Sequence, residues 1–203
     1  MVSQPHVLCC LANGCEEIEV VTILDLLRRA NIQSVTASVE SDGHTSLTAA
    51  QGFSLHCDEP LSKLADGDFQ ALILPGGQRA SETFQHSVLL RETLNQFQCS
   101  NRLVAAIGTS PPLVLVKHQL YSEANITGFP ALEMAIPAAQ WQNKRVVWDP
   151  RFHLLTSQGP GTAIDFTLKM IELLAGKRRA RQVAAPLVLA SGIYDYQLDR
   201  LQN

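Results

Sequence analysis

The chain has 203 residues, 46% hydrophobic and 17% charged, with a formal net charge of −3. That composition excludes a disordered chain and gives enough apolar residues for a sizeable core. The basic run Lys177-Arg178-Arg179 with Arg181 follows Gly176 and reads as a solvated helix end, so no nucleic-acid partner is expected.

The N-terminal residues Met1 to His6 lack the basic leader of a signal peptide, and the apolar run Val7 to Ala12 stops at Asn13-Gly14. No stretch approaches the roughly 18 apolar residues that cross a bilayer. The expectation is one soluble, cytoplasmic domain over residues 1–203 with no membrane partner. The five cysteines, Cys9, Cys10, Cys15, Cys57 and Cys99, form no C-x-x-C pair, and the six histidines are scattered. Reduced thiols, no metal and no cofactor are expected.

In chain order, His6 to Leu11 reads as a central parallel strand. Asn13-Gly14-Cys15-Glu16 opens a helix that runs to about Ala30, with Asn13 as cap and Glu16 reaching back as in a capping box. Ile18, Val21 and Leu24 share one face of it and Val20, Ile23 and Leu27 another, which argues for burial on the sheet and on a partner. Ser34 to Val39 is the next strand. Leu47 to Ala49 and Phe53 to His56 flank Gln51-Gly52 as a hairpin. Ala71 to Leu74 is a buried strand ending in Pro75-Gly76-Gly77, either a tight turn into a helix or a turn whose N–H groups face a ligand. Leu90, Leu94 and Phe97 mark a helix from Ser87 to about Cys99.

The most informative stretch is Leu103 to Leu113. Five apolar residues, Leu103 to Ile107, meet a small-residue turn, Gly108-Thr109-Ser110, and a Pro-led helix over Leu113 to Val116 follows. That is the strand–turn–helix pattern of a nucleophile elbow, whose apex residue sits on strained backbone beneath converging N–H groups. The apex here is Gly108, which has no side chain.

Beyond the elbow, Asn125 to Gly128 reads as a short strand and Ala131 to Ile136 as a short helix. Arg145 to Trp148 and His153 to Thr156 are two sheet strands. Thr162 as cap with Asp165 at the third position starts a helix that Gly176 stops. A last helix, about Lys177 to Leu189, carries Pro186 and is expected to kink. Strands alternating with helices predict an α/β fold, a three-layer α/β/α sandwich around a mostly parallel sheet, with its site at the carboxyl ends of the strands.

Several stretches together resemble the ThiJ/PfpI superfamily, also called the parkinsonism-associated deglycase family, and within it the YajL-like branch. They are Leu11-Ala12-Asn13-Gly14-Cys15-Glu16-Glu17-Ile18-Glu19, Leu74-Pro75-Gly76-Gly77, Val104-Ala105-Ala106-Ile107, Thr127-Gly128-Phe129-Pro130, Lys144 to Asp149 and Leu155 to Phe166. The resemblance implies a flavodoxin-like sandwich that forms a homodimer. It implies a reactive cysteine on the elbow, an acid from the first helix touching the sulfur, and oxyanion donors from the Gly-Gly turn and the residue after the cysteine. Carried over, the acid is Glu19, the donors are the backbone of Gly77 and Thr109, and the cysteine position is Gly108. Some relatives use a histidine where this chain has Phe129. Members of the family are described as glyoxalases, protein deglycases, oxidative-stress sensors and chaperones.

Two functions follow. One is a non-catalytic, stress-associated or chaperone-like dimer with misfolded or glycated protein clients. The other is a deglycase- or glyoxalase-type enzyme acting on small carbonyl compounds, 2-oxoaldehydes or glycated groups, through another nucleophile. Candidates for that nucleophile are Cys15, beside a helix N-terminus that can lower a thiol pKa though Glu16 and Glu17 oppose it, and the hydroxyls of Thr109 and Ser110, for which no nearby histidine base is predictable.

Overall fold

The computed structural model describes residues 6–189. Seven strands form one sheet: β1 (His6–Leu11), β2 (Gln33–Ser38), β5 (Glu59–Pro60), β6 (Ala71–Leu74), β7 (Leu103–Ile107), β8 (Val146–Asp149) and β9 (Leu154–Ser157). Their order is β5-β2-β1-β6-β7-β9-β8, parallel except for β8 against β9. β1, β6, β7 and β9 are almost wholly buried, and the apolar runs of β1, β6 and β7 suit strands covered on both faces.

The chain moves one way from β1 to β2 and the other way from β1 to β6, so right-handed crossovers place helices on opposite faces. α1 (Glu17–Arg29), α5 (Ala163–Ala175) and α6 (Lys177–Ala184) pack as one layer. α2 (Leu61–Leu64), α3 (Gln78–His86), α4 (Val88–Cys99) and a π-helical turn over Pro111–Val116 make the other. One continuous apolar core joins both layers to the sheet. The expected hairpin is present as β3 (Ser46–Thr48) and β4 (Ser54–His56), a two-stranded sheet of its own.

Several local expectations are corrected. α1 starts at Glu17, not at Asn13, because Glu16 is extended (φ −74°, ψ 115°) and no side chain caps the helix. Asn13 instead accepts Thr48 N–H on Oδ1 at 2.9 Å, and Glu17 Oε1 accepts Gln51 N–H at 2.5 Å. The loop that leads into α1 is therefore stitched to the hairpin. Asn125 to Gly128 is not a strand: its N–H groups go to Asp149 Oδ2, Gln140 O and Thr156 Oγ1, and one bridge joins Ile126 to Trp141.

The Ala131 to Ile136 helix is a 3-10 turn over Pro130–Ala135, broken at Leu132. Thr162 precedes α5 without capping it, since its hydroxyl donates to Gly159 O at 2.8 Å, and Asp165 pairs with Arg145 at 2.7 Å. α6 ends at Ala184, before Pro186, which lies in a 3-10 turn rather than kinking a longer helix. α3 and the β5–α2 corner were not expected. The signal in α3 is sparse, because only Ala80, Ser81 and Phe84 of its nine residues are buried.

Candidate functional site

Three strand ends converge on one carboxyl. α1 carries Glu19 inward, to 1% exposure, among Val20, Ile23 and Leu27. The turn after β6 meets it, and Gly76 N–H donates to Glu19 Oε2 at 2.5 Å. The turn after β7 places Gly108 beneath it with φ +66°, the left-handed backbone that the elbow pattern predicts and glycine tolerates. A Cβ at Gly108 would lie 2.7 Å from Glu19 Oε1. A Cβ at Gly76 would lie 2.9 Å from Oε2, and one at Gly159, after β9, 3.9 Å from Oε1. The carboxyl thus sits in a cradle of three glycines.

Backbone contacts hold the cradle. Gly108 N–H donates to Ser157 O at 3.1 Å, and Gly108 O accepts Phe129 N–H at 2.8 Å. Gly77, at φ +110°, passes so close to Gly14 that a Cβ would lie 2.0 Å from Gly14 O, so no side chain fits there. Among the described residues, the N–H groups of Gly77 and Thr109 donate to no protein acceptor, and Glu19 Oε1 has no hydrogen-bond partner. Phe129 is 41% exposed at the rim, with Cδ2 3.6 Å from the Cβ position of Gly159.

Burial sets the electrostatics. It pushes the Glu19 pKa up to about 7; Gly76 N–H, which favours the charged form, opposes that shift, and Glu16 adds to it. Near neutrality Glu19 is therefore divided between a neutral acid, able to donate from an oxygen, and a buried carboxylate.

The hydroxyls beside the apex are already committed. Thr109 Oγ1 lies 2.7 Å from Ser81 Oγ, Ser81 Oγ lies 3.3 Å from Ser110 Oγ, and Ser110 donates to Pro75 O at 2.6 Å. The chain ends on a carbonyl and includes no histidine base. Ser81 and Gly159 were not singled out from sequence. Ser81 lies on the unexpected α3, where the Ala80–Phe84 spacing was its signal. Gly159 lies in the turn between β9 and α5, and its signal is the Gly159-Pro160-Gly161 run that follows a strand.

Cys15, the candidate substitute nucleophile, is a packed thiol in this structure. It is fully buried, its sulfur accepts Ala12 N–H at 3.3 Å, and burial pushes its pKa up to about 12. The helix N-terminus that was to lower it begins at Glu17, and Glu19 and Glu40 add negative charge. Cys9, Cys10 and Cys57 are likewise buried with raised pKa values, and Cys99 is exposed. Among the described residues, no group of His, Cys, Asp and Glu could hold a metal ion. No described helix is long and apolar enough to cross a membrane.

The fold recurs in known proteins. The chain is similar to Drosophila melanogaster protein dj-1beta, 34% identical over 182 residues, covering 89% of this chain and 95% of that protein. It is 30% identical over 176 residues to the Caenorhabditis elegans glutathione-independent glyoxalase DJR-1.2, covering 86% and 91% respectively. The crystal structure of oxidized Toxoplasma gondii DJ-1 superposes with a TM-score of 0.87 at 33% identity, over 92% of this chain and 99% of that one. Residues 5–173 match the DJ-1/PfpI family, and the chain belongs to it.

Proposed function

We propose that this chain is a member of its family without the cysteine chemistry: a single domain over residues 1–203, homodimeric and cytoplasmic, that binds rather than turns over. Its role on this reading is stress-associated or chaperone-like, with misfolded or glycated proteins as clients. The observation that carries the reading is Gly108, at the elbow apex with φ +66° and directly beneath Glu19. Glycine supplies no thiolate to attack a carbonyl. In a serine protease, losing the nucleophile costs roughly 10⁶ in kcat.

Neighbouring groups do not make good the loss. Cys15 is held as a buried thiol, and Thr109 and Ser110 are tied into a hydroxyl chain without a base. The dimer is supported by Ile18 and Val21, both 57% exposed on α1, where a soluble helix facing water needs no such residues.

A second reading, a glyoxalase- or deglycase-type enzyme using another nucleophile, keeps one observation in its favour. Glu19 and the free N–H groups of Gly77 and Thr109 still form a frame suited to an oxyanion. Methylglyoxal consumption by the purified protein separates the two. The first reading expects consumption at the level of buffer, and the second expects turnover that survives removal of trace contaminants.

A further inference from the structure

A cleft of about 720 Å³ opens between the loop after β2 and helix α3, with the β5–α2 corner closing it. Its size falls within the range of pockets that hold small ligands, about 300–1,000 Å³. It shares no lining residue with the cradle around Glu19. Ser38 ends β2 and Pro60 ends β5, so the cleft lies at the carboxyl ends of two parallel strands, where α/β sheets hold their ligands.

The lining has an apolar part, one guanidinium and two carboxylates. Val39 and Leu61 are buried, and Val88 stands 59% exposed at the α3–α4 junction. Arg79 lines the helix side. Its stem packs on Gly14, where a Cβ would come within 2.7 Å of Arg79 Cβ, and among the described residues it forms no ion pair. Glu40 lines the loop side, half-buried, with Oε1 accepting Asn13 N–H at 2.8 Å. Glu82, one turn along α3, is tied through Oε1 to Gln78 at 2.8 Å.

Among the described residues, each carboxylate therefore keeps one oxygen uncommitted, and the guanidinium has no hydrogen-bond or ion-pair partner. A simple anion entering here meets two carboxylates, and a simple cation meets Arg79. A molecule carrying both charges meets partners for both, and its apolar part finds Val39, Leu61 and Val88. We infer that this cleft is a second ligand site, for a small zwitterion with an apolar side chain: a free amino acid or a dipeptide. Arg79 takes its carboxylate and Glu40 its ammonium.

Titration calorimetry on the full-length protein tests this with leucyl-leucine as the probe. The free dipeptide should bind, and capping either end, by N-acetylation or by C-terminal amidation, should weaken binding by about tenfold or more. Arg79→Gln should erase the preference for the free carboxylate while leaving the preference for the free amine. Val88→Ser, on the surface, should weaken leucyl-leucine but not glycyl-glycine. Absence of binding at millimolar dipeptide, equal binding of the doubly capped form, or unchanged discrimination in Arg79→Gln overturns the proposal. So does NMR shift mapping that places the dipeptide around Glu19 and Gly108 instead of Arg79.

Discussion

Glu19 Oε1 stands 2.7 Å from where the Cβ of any side chain at Gly108 would lie. The retained acid and the bare apex are thus one arrangement: the carboxyl occupies ground that a larger apex residue would contest. Gly108→Ala should lower stability by about 1–3 kcal/mol, from the left-handed backbone and the contact together. The contact part is separable. In a Glu19→Ala background the same substitution should be less costly, with a coupling of at least about 0.5 kcal/mol in a denaturant double-mutant cycle. Strict additivity would mean that the two positions do not compete for space.

The same carboxyl makes stability depend on pH. Its folded-state pKa of about 7 lies above the ordinary value of 4.5, so folding favours the protonated form. The sign follows from linkage: the contribution is fully present below about pH 4.5 and is lost as the pH rises through 7. By pH 8 the buried charge costs about 3 kcal/mol. Glu19→Gln keeps an acceptor for Gly76 N–H and carries no charge. It should therefore be more stable than wild type at pH 8, with the gap closing toward pH 5, as measured by urea denaturation across that range. A gap independent of pH would place the titration elsewhere.

The apolar face of α1 should carry the self-association. Ile18 and Val21 are each 57% exposed, and Phe53, on the hairpin stitched to the start of α1, is 67% exposed. Ile18→Lys with Val21→Lys should shift the light-scattering mass from two chains to one at micromolar concentration and leave the circular dichroism spectrum unchanged. A wild type already of one-chain mass would remove the basis for a dimer.

Much of this was legible in the residues. The buried strands announce themselves as short apolar runs, and Leu90, Leu94 and Phe97 fall inside α4 as their spacing predicts. Gly108 ends a buried run and is followed by Thr109-Ser110 and a Pro-led helical turn, so the elbow and its left-handed apex could be read directly. What could not be read was polar commitment at a distance. Asn13 and Thr162 have the right identity and spacing for helix caps, yet bonds to Thr48, Ser157 and Gly159 claim their side chains. Cys15 sits where a helix N-terminus seemed to begin, but the helix starts two residues later and the thiol is buried. α3 hid because only Ala80, Ser81 and Phe84 of its nine residues are buried, which leaves little apolar period to detect.

On the proposed function, the glycine at the elbow apex, Gly108, leaves the chain without cysteine chemistry, and methylglyoxal turnover by wild type beside Gly108→Cys is the measurement that decides it. Wild type should consume the aldehyde no faster than buffer. The variant should gain at most partial activity, because its new Cβ meets Glu19 Oε1 at 2.7 Å and the carboxyl must move before a thiolate can be held under the N–H groups of Gly77 and Thr109. A wild type that turns methylglyoxal over well above buffer would contradict this reading, and Cys15→Ser and Thr109→Val would then test which residue supplies the nucleophile.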